Sequence, residues 1–121
     1  LSKNLTDIGG HAFNCCSSLK NVTIPNSTKK IGNYAFIGCS QLTKAVIGKN
    51  TSTIGKFAFK NCSKLQTIKI NSTKLRNVGR NAFKSISPNA RILVPANKLN
   101  AYKKLLTGKG QGKNVVIQKK A

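Results

Sequence analysis

Shifted against itself by 23 residues, the sequence matches, and this periodicity constrains the fold more than any other feature. Ile8-Gly9, Ile31-Gly32 and Ile54-Gly55 align, and Val78-Gly79 follows one residue late. Behind them stand Ala12-Phe13, Ala35-Phe36, Ala58-Phe59 and Ala82-Phe83. Next come Cys16-Ser17, Cys39-Ser40 and Cys62-Ser63, with Ile86-Ser87 in the fourth copy. Leu19, Leu42 and Leu65 follow, where the fourth copy has Asn89. Each unit closes on an apolar extended segment: Val22-Thr23-Ile24, Ala45-Val46-Ile47, Ile68-Lys69-Ile70 and Ile92-Leu93-Val94. One unit cannot bury its own apolar groups, so units must stack.

In the second unit the inward groups are Ile31, Ala35, Phe36, Leu42, Ala45 and Ile47. A buried large side chain contributes roughly 1.5–3 kcal/mol, so each added coil offsets much of its ordering entropy. "LTKAVI" reads as the strand of a coil, "IG" as a short extended piece on another side, and "NYAF" as a helical or 3-10 turn that tucks Phe36 inside. Successive strands are then about 4.8 Å apart in a parallel sheet. "NSTKLRNV" carries one extra residue, which predicts a bulged loop before Val78. After Pro95 the repeat stops. "ANKLNAYKKLLTG" reads as a helix, with Asn97 as N-cap, Leu99, Tyr102 and Leu106 on one face, and Gly108 as the stop. "KGQGK" reads as a loop and "NVVIQ" as a short strand. The expected organisation is four coils over residues 1–95, the first preceded by a partial coil, and a cap over residues 96–121. No lid precedes Leu1, which predicts further coils upstream.

A period in this range with an L-x-x-apolar-x-apolar strand marks a leucine-rich-repeat solenoid. "IGGHAFNCCSSLKNVTIP", "IGNYAFIGCSQLTKAVIG" and "IGKFAFKNCSKLQTIKIN" resemble the BspA-like leucine-rich repeats of bacterial and protist surface proteins, over residues 1 to about 95. The tail "YKKLLTGKGQGKNVVIQ" is similar to the terminal cap of bacterial members. The resemblance implies a right-handed β/α superhelix with a parallel sheet on one face. It also implies an exported or cell-surface protein used in adhesion or host interaction. The family is not generally this cationic.

Lys and Arg total 22 against one acid, Asp7, for a formal net charge of +21. Such a surface attracts polyanions. Lys outnumbers Arg 19 to 3, which favours diffuse point-charge contacts over bidentate reading. The same composition argues against an enzyme: general acid–base chemistry needs paired His, Asp or Glu, and the chain has Asp7, His11 and no Glu. Neither a metal nor a cofactor is expected. Asp7, His11 and Cys15 would share a face on a helix, but the repeat makes Ile8-Gly9 extended and turning. "GKGQGKN", residues 108–114, departs from a phosphate loop in spacing and in lacking Ser or Thr after Lys113, and reads as a cap loop. No segment approaches the length of a membrane span, so no membrane insertion is expected.

The aligned Cys16, Cys39 and Cys62 read as a buried thiol file. Cys15 aligns with Gly38, Asn61 and Ser85 and reads as partly exposed. Glycosylation-type triplets begin at Asn4, Asn21, Asn26, Asn50, Asn61 and Asn71, although coil turns favour Asn, Ser and Thr in any case.

Alternation turns Asn21 and Thr23, Lys44 and Val46, Thr67 and Lys69, and Arg91 and Leu93 to the outside of the main sheet. These eight positions are the candidate ligand-binding face. The expected partner is an anionic polysaccharide or an acidic protein: host glycosaminoglycan or other extracellular matrix, sulfated or sialylated mucin, or the cell's own wall polymer. Non-specific nucleic-acid binding is the alternative. Against it, Phe13, Phe36, Phe59 and Phe83 are committed to the core, which removes the stacking platform that reading requires. A structural spacer without a ligand is the third reading.

Overall fold

The computed structural model describes residues 1–120. The chain winds into about five turns of a three-walled solenoid. One wall is a five-stranded parallel sheet of β2 (Asn21–Thr23), β4 (Lys44–Ile47), β6 (Thr67–Ile70), β8 (Arg91–Val94) and β9 (Val116–Lys119), in that order. The second wall is a narrower parallel sheet of β1 (Asp7–Ile8), β3 (Lys30–Ile31), β5 (Thr53–Ile54) and β7 (Asn77–Val78). Turns form the third. Between β8 and β9 the chain makes a 3-10 turn, Ala96–Lys98, and the helix α1, Leu99–Leu106.

Register follows the repeat. Val22 pairs with Ala45, Ala45 with Ile68, and Ile68 with Ile92. The step is 23 residues until Ile68 to Ile92, where it becomes 24. In the second sheet the extra residue enters between Thr53 and Asn77, so the expected bulge is present. Inside, like stacks on like. The rings of Phe13, Phe36, Phe59 and Phe83 form one file with centroids 5.0, 5.2 and 6.1 Å apart. The six inward groups named for the second coil are all fully buried.

The turn wall is not the helical or 3-10 turn expected at "NYAF". It is a run of tight turns in which alternate amides face opposite duties. Ala35, Ile37 and Cys39 donate to carbonyls three residues back. Tyr34, Phe36 and Gly38 donate instead to Lys56, Ala58 and Lys60 of the next coil. This requires a left-handed residue twice per coil, at His11, Tyr34, Phe57 and Asn81 and again at Cys15, Gly38, Asn61 and Ser85. A helix would spend every amide within its own coil; the wall uses half of them to join coils.

The glycine of "IG" is needed for close approach. A Cβ on Gly55 would meet the amide nitrogen of Asn33 at 2.5 Å and the carbonyl carbon of Gly32 at 2.6 Å. The backbones of successive coils touch there.

Three buried hydroxyls form a second device that the apolar pattern hides. Thr28 Oγ1 donates to the Leu5 carbonyl, Thr51 Oγ1 to that of Thr28, and Ser72 Oγ to that of Thr51. All three residues are fully buried. The file ends at Tyr102 of α1, whose hydroxyl donates to the Ser72 carbonyl at 2.9 Å and accepts from the Leu75 amide at 3.1 Å. Tyr102 and Leu106 are buried and Leu99 packs against the core, as the helix pattern predicts. Asn97 is not the N-cap: it lies inside the 3-10 turn, and Lys98 occupies the cap position of α1 without a side-chain bond. The "KGQGK" loop also finishes the stack, since the Lys109 carbonyl accepts from Phe83 N–H, the bond a further coil would supply.

Candidate binding surface

The main sheet displays its outward side chains in two rows. Asn21, Lys44, Thr67 and Arg91 are in register along one, and Thr23, Val46, Lys69 and Leu93 along the other. Asn21, Thr23, Lys44 and Arg91 are exposed, while Val46, Thr67, Lys69 and Leu93 are half-buried among their neighbours. The face does not stop at Leu93. β9 pairs with β8 and adds Val116 to the first row and Gln118 to the second. Val116 is 47% exposed, and Arg91 Nη1 donates to Gln118 Oε1 at 3.2 Å. The alternation of Val115 and Ile117 against Val116 and Gln118 carries this signal in the sequence; a lid reading obscures it.

Among the described residues the surface depressions are shallow. One of about 250 Å³ lies over Asp7–Gly10, Lys30, Gly32 and Asn33. Another of about 350 Å³ lies over Leu1, Lys3 and Thr23–Asn26. Neither gathers an acid, a base and a nucleophile. Asp7 sits on β1, while His11 and Cys15 sit on the turn wall. No group of His, Cys, Asp or Glu able to hold a metal occurs among the described residues. None of the described helices is long and apolar enough to cross a membrane.

Two of the four thiols hold coils together. Cys39 and Cys62 are fully buried, and their Sγ atoms donate to the Phe13 and Phe36 carbonyls, each at 3.1 Å. Burial pushes the Cys62 thiol up to about 12, helped by neighbouring Cys39, and raises Cys39 as well. Cys16 is half-buried, Cys15 is exposed, and all four are free. The Asn-rich triplets serve the coils too: Asn26 Oδ1 accepts from the Lys49 amide, Asn50 Nδ2 donates to the Asn26 carbonyl, and Asn71 Oδ1 accepts from Lys120 Nζ.

The turn wall carries a feature that reads in the sequence as a variable position. His11, Tyr34 and Phe57 stack in a file outside the core, with centroids 4.7 and 5.1 Å apart and planes within 4° and 16°. Their left-handed backbone costs a bulky residue about 1–3 kcal/mol each, and stacking returns about 0.5–1.5 kcal/mol per pair. The inner ring faces are spent on one another, and the outer face of Phe57 lies under Lys60 and Arg80. These three rings lie outside the core, beyond the Phe13, Phe36, Phe59 and Phe83 file that the repeat commits to the interior.

The repeat geometry and the composition of each coil have a counterpart among known sequences. The profile of the BspA type leucine rich repeat region matches residues 1–109, in six copies. The chain belongs to this family. The BspA-type match extends past Pro95 into the segment that completes the stack. No curated protein sequence matches the chain. Among solved structures, a leucine-rich repeat protein from Bacteroides ovatus is 26% identical with a TM-score of 0.76, over 96% of this chain and 28% of that one. The pneumococcal vaccine antigen PcpA is 21% identical with a TM-score of 0.72, over 100% of this chain and 29% of that one. A leucine-rich repeat protein of T. pallidum, at 19% identity and a TM-score of 0.51 over 94% of this chain and 67% of that one, shares the fold. This BspA-type chain thus spans under a third of the length of the first two. Leucine-rich-repeat proteins of this kind are generally non-enzymatic protein-interaction or adhesion modules.

Proposed function

We propose that this chain is a non-catalytic interaction module of a secreted or cell-surface protein, binding an anionic polysaccharide or an acidic protein through its main sheet. The binding face is Asn21, Thr23, Lys44, Val46, Thr67, Lys69, Arg91 and Leu93, with Val116 and Gln118 completing it. The observation that carries the reading is a net charge of +21 with one acid on a scaffold whose five-stranded face is in register and presents Lys44, Lys69 and Arg91. Host extracellular matrix and mucin offer polyanions of the required kind.

Size limits the affinity. Five strands at about 4.8 Å give a face about 20 Å across, while a standard interface buries roughly 800 Å² per partner. Binding by this segment then relies on many weak charge contacts or on multivalent display.

Titration with heparin across a salt series tests the reading. Affinity should weaken steeply from low to physiological salt, because exposed charges are screened over about 8–10 Å there. Binding that ignores salt contradicts the charge mechanism. A gel shift competed by heparin separates the nucleic-acid alternative, which preferential retention of nucleic acid would favour. Absence of binding to any polyanion at low salt would leave a structural spacer.

A further inference from the structure

The turn wall holds its own concentration of charge, separate from the main sheet. Lys56 and Arg80 stand at equivalent positions of the third and fourth coils, and so do Lys60 and Lys84. Phe57 lies between the two pairs. Lys60 Nζ is 5.2 Å from the centroid of the Phe57 ring and Arg80 Cζ is 5.6 Å from it. Tyr34 stacks on one face of that ring at 5.1 Å, so the face toward the fourth coil is the one left to the two cations. That face is free because the aromatic file stops there. The fourth coil has Asn81 at the ring position, and Asn81 Oδ1 lies beside Gly110, where a Cβ would come within 2.9 Å of it.

Two cations drawn over one ring repel one another, and Lys56 and Lys84 occupy the aligned positions of the same two coils. The chain's one acid, Asp7, is on β1 in another coil and on another wall. On the main sheet, by contrast, Lys44, Lys69 and Arg91 come from three separate strands, and Arg91 is already bonded to Gln118. Arg80 is one of only three arginines against 19 lysines, and a guanidinium fork matches a tetrahedral or planar oxyanion in a way an ammonium does not.

We propose that Lys60 and Arg80, held over Phe57 and flanked by Lys56 and Lys84, form an oxyanion site that takes a sulfate ester of a sulfated polysaccharide. The glycan chain runs across the coils of the turn wall, and the remaining sulfates meet Lys56 and Lys84. The site stands apart from the main-sheet face, so either can fail without the other. The sulfate group is favoured over a peptide carboxylate because its oxygens point in several directions, which suits cations arriving from two coils.

The test is calorimetric titration of a size-defined heparin oligosaccharide at fixed salt into the intact chain and three variants. Lys60→Gln with Arg80→Gln should lower affinity by about tenfold or more, since charge-assisted bonds are lost. Lys29→Gln with Lys30→Gln removes the same charge from the exposed edge of the narrow sheet and should lower it by less than about threefold. Arg80→Lys keeps the charge and loses the fork, and should still weaken binding several-fold. Circular dichroism of each variant verifies the fold. Equal losses from the two double variants, or a larger loss from the narrow-sheet variant, would overturn the proposal in favour of diffuse attraction. Unchanged affinity in Arg80→Lys would also overturn it. Poly-glutamate of matched charge should bind more weakly; equal or tighter binding would replace the sulfated glycan with an acidic peptide.

Discussion

Side chains in this chain do their work one coil away from where they sit. The Cys62 thiol is buried, donates to the Phe36 carbonyl of the preceding coil and is pushed up to about 12. An unfolded thiol ionises near 8.5. Between those values the unfolded chain releases a proton that the folded chain keeps, so stability is intact below about pH 8.5 and falls as pH rises toward 12. The slope approaches about 1.4 kcal/mol per pH unit for one such group. Urea unfolding from pH 8 to 10.5 should show a shallower decline in Cys62→Ala than in the parent chain. Identical slopes would mean the thiol is not held neutral by burial. At pH 8, alkylation should modify Cys15 first and leave Cys39 and Cys62 protected until unfolding. Tyr102→Phe keeps the ring and removes the hydroxyl that ends the buried file, leaving the Ser72 carbonyl and Leu75 amide without it. The expected loss is about 1–3 kcal/mol by chemical denaturation.

The elements differ in how plainly the sequence announces them. The strands are legible because Ile, Val and Leu recur at fixed offsets and alternate with polar residues, so Lys44, Lys69 and Arg91 fall outside by alternation alone. The turn wall is not. Its residues share backbone geometry and not chemistry, so His11, Tyr34, Phe57 and Asn81 look like an unconstrained column although three of them stack. A short "AF" segment read as helical for the same reason: tight turns and one helical turn place Phe36 inward alike. Thr28 and Thr51 looked like glycosylation-type triplets because burial of a hydroxyl leaves no trace in a hydrophobicity pattern. The β9 strand was expected, but its joining the main sheet depends on α1 returning the chain alongside β8. At this scale the glycine file is the sharpest test. Gly55→Ala forces a methyl group into the backbone of the preceding coil and should cost about 1–3 kcal/mol, measured by thermal or urea unfolding. A neutral Gly55→Ala would mean the coils are not in contact there.

As a whole molecule the chain is a stack whose interior is spent on holding coils together, leaving its cations outside as the groups available to a partner. The BspA-type repeat sets Arg80 at the position of Lys56 and Lys84 at that of Lys60, one coil on. It does not by itself name a ligand, because the family specifies a scaffold. The most direct measurement is a chemical-shift map of the uniformly ¹⁵N-labelled chain titrated with a heparin oligosaccharide at low salt. Shifts should concentrate on the main sheet from Asn21 to Gln118 and on the turn wall around Phe57, Lys60, Arg80 and Lys84, and should leave the narrow sheet at Ile8, Ile31, Ile54 and Val78 unmoved. Weak shifts spread evenly over all three walls, or none at all, would contradict the account.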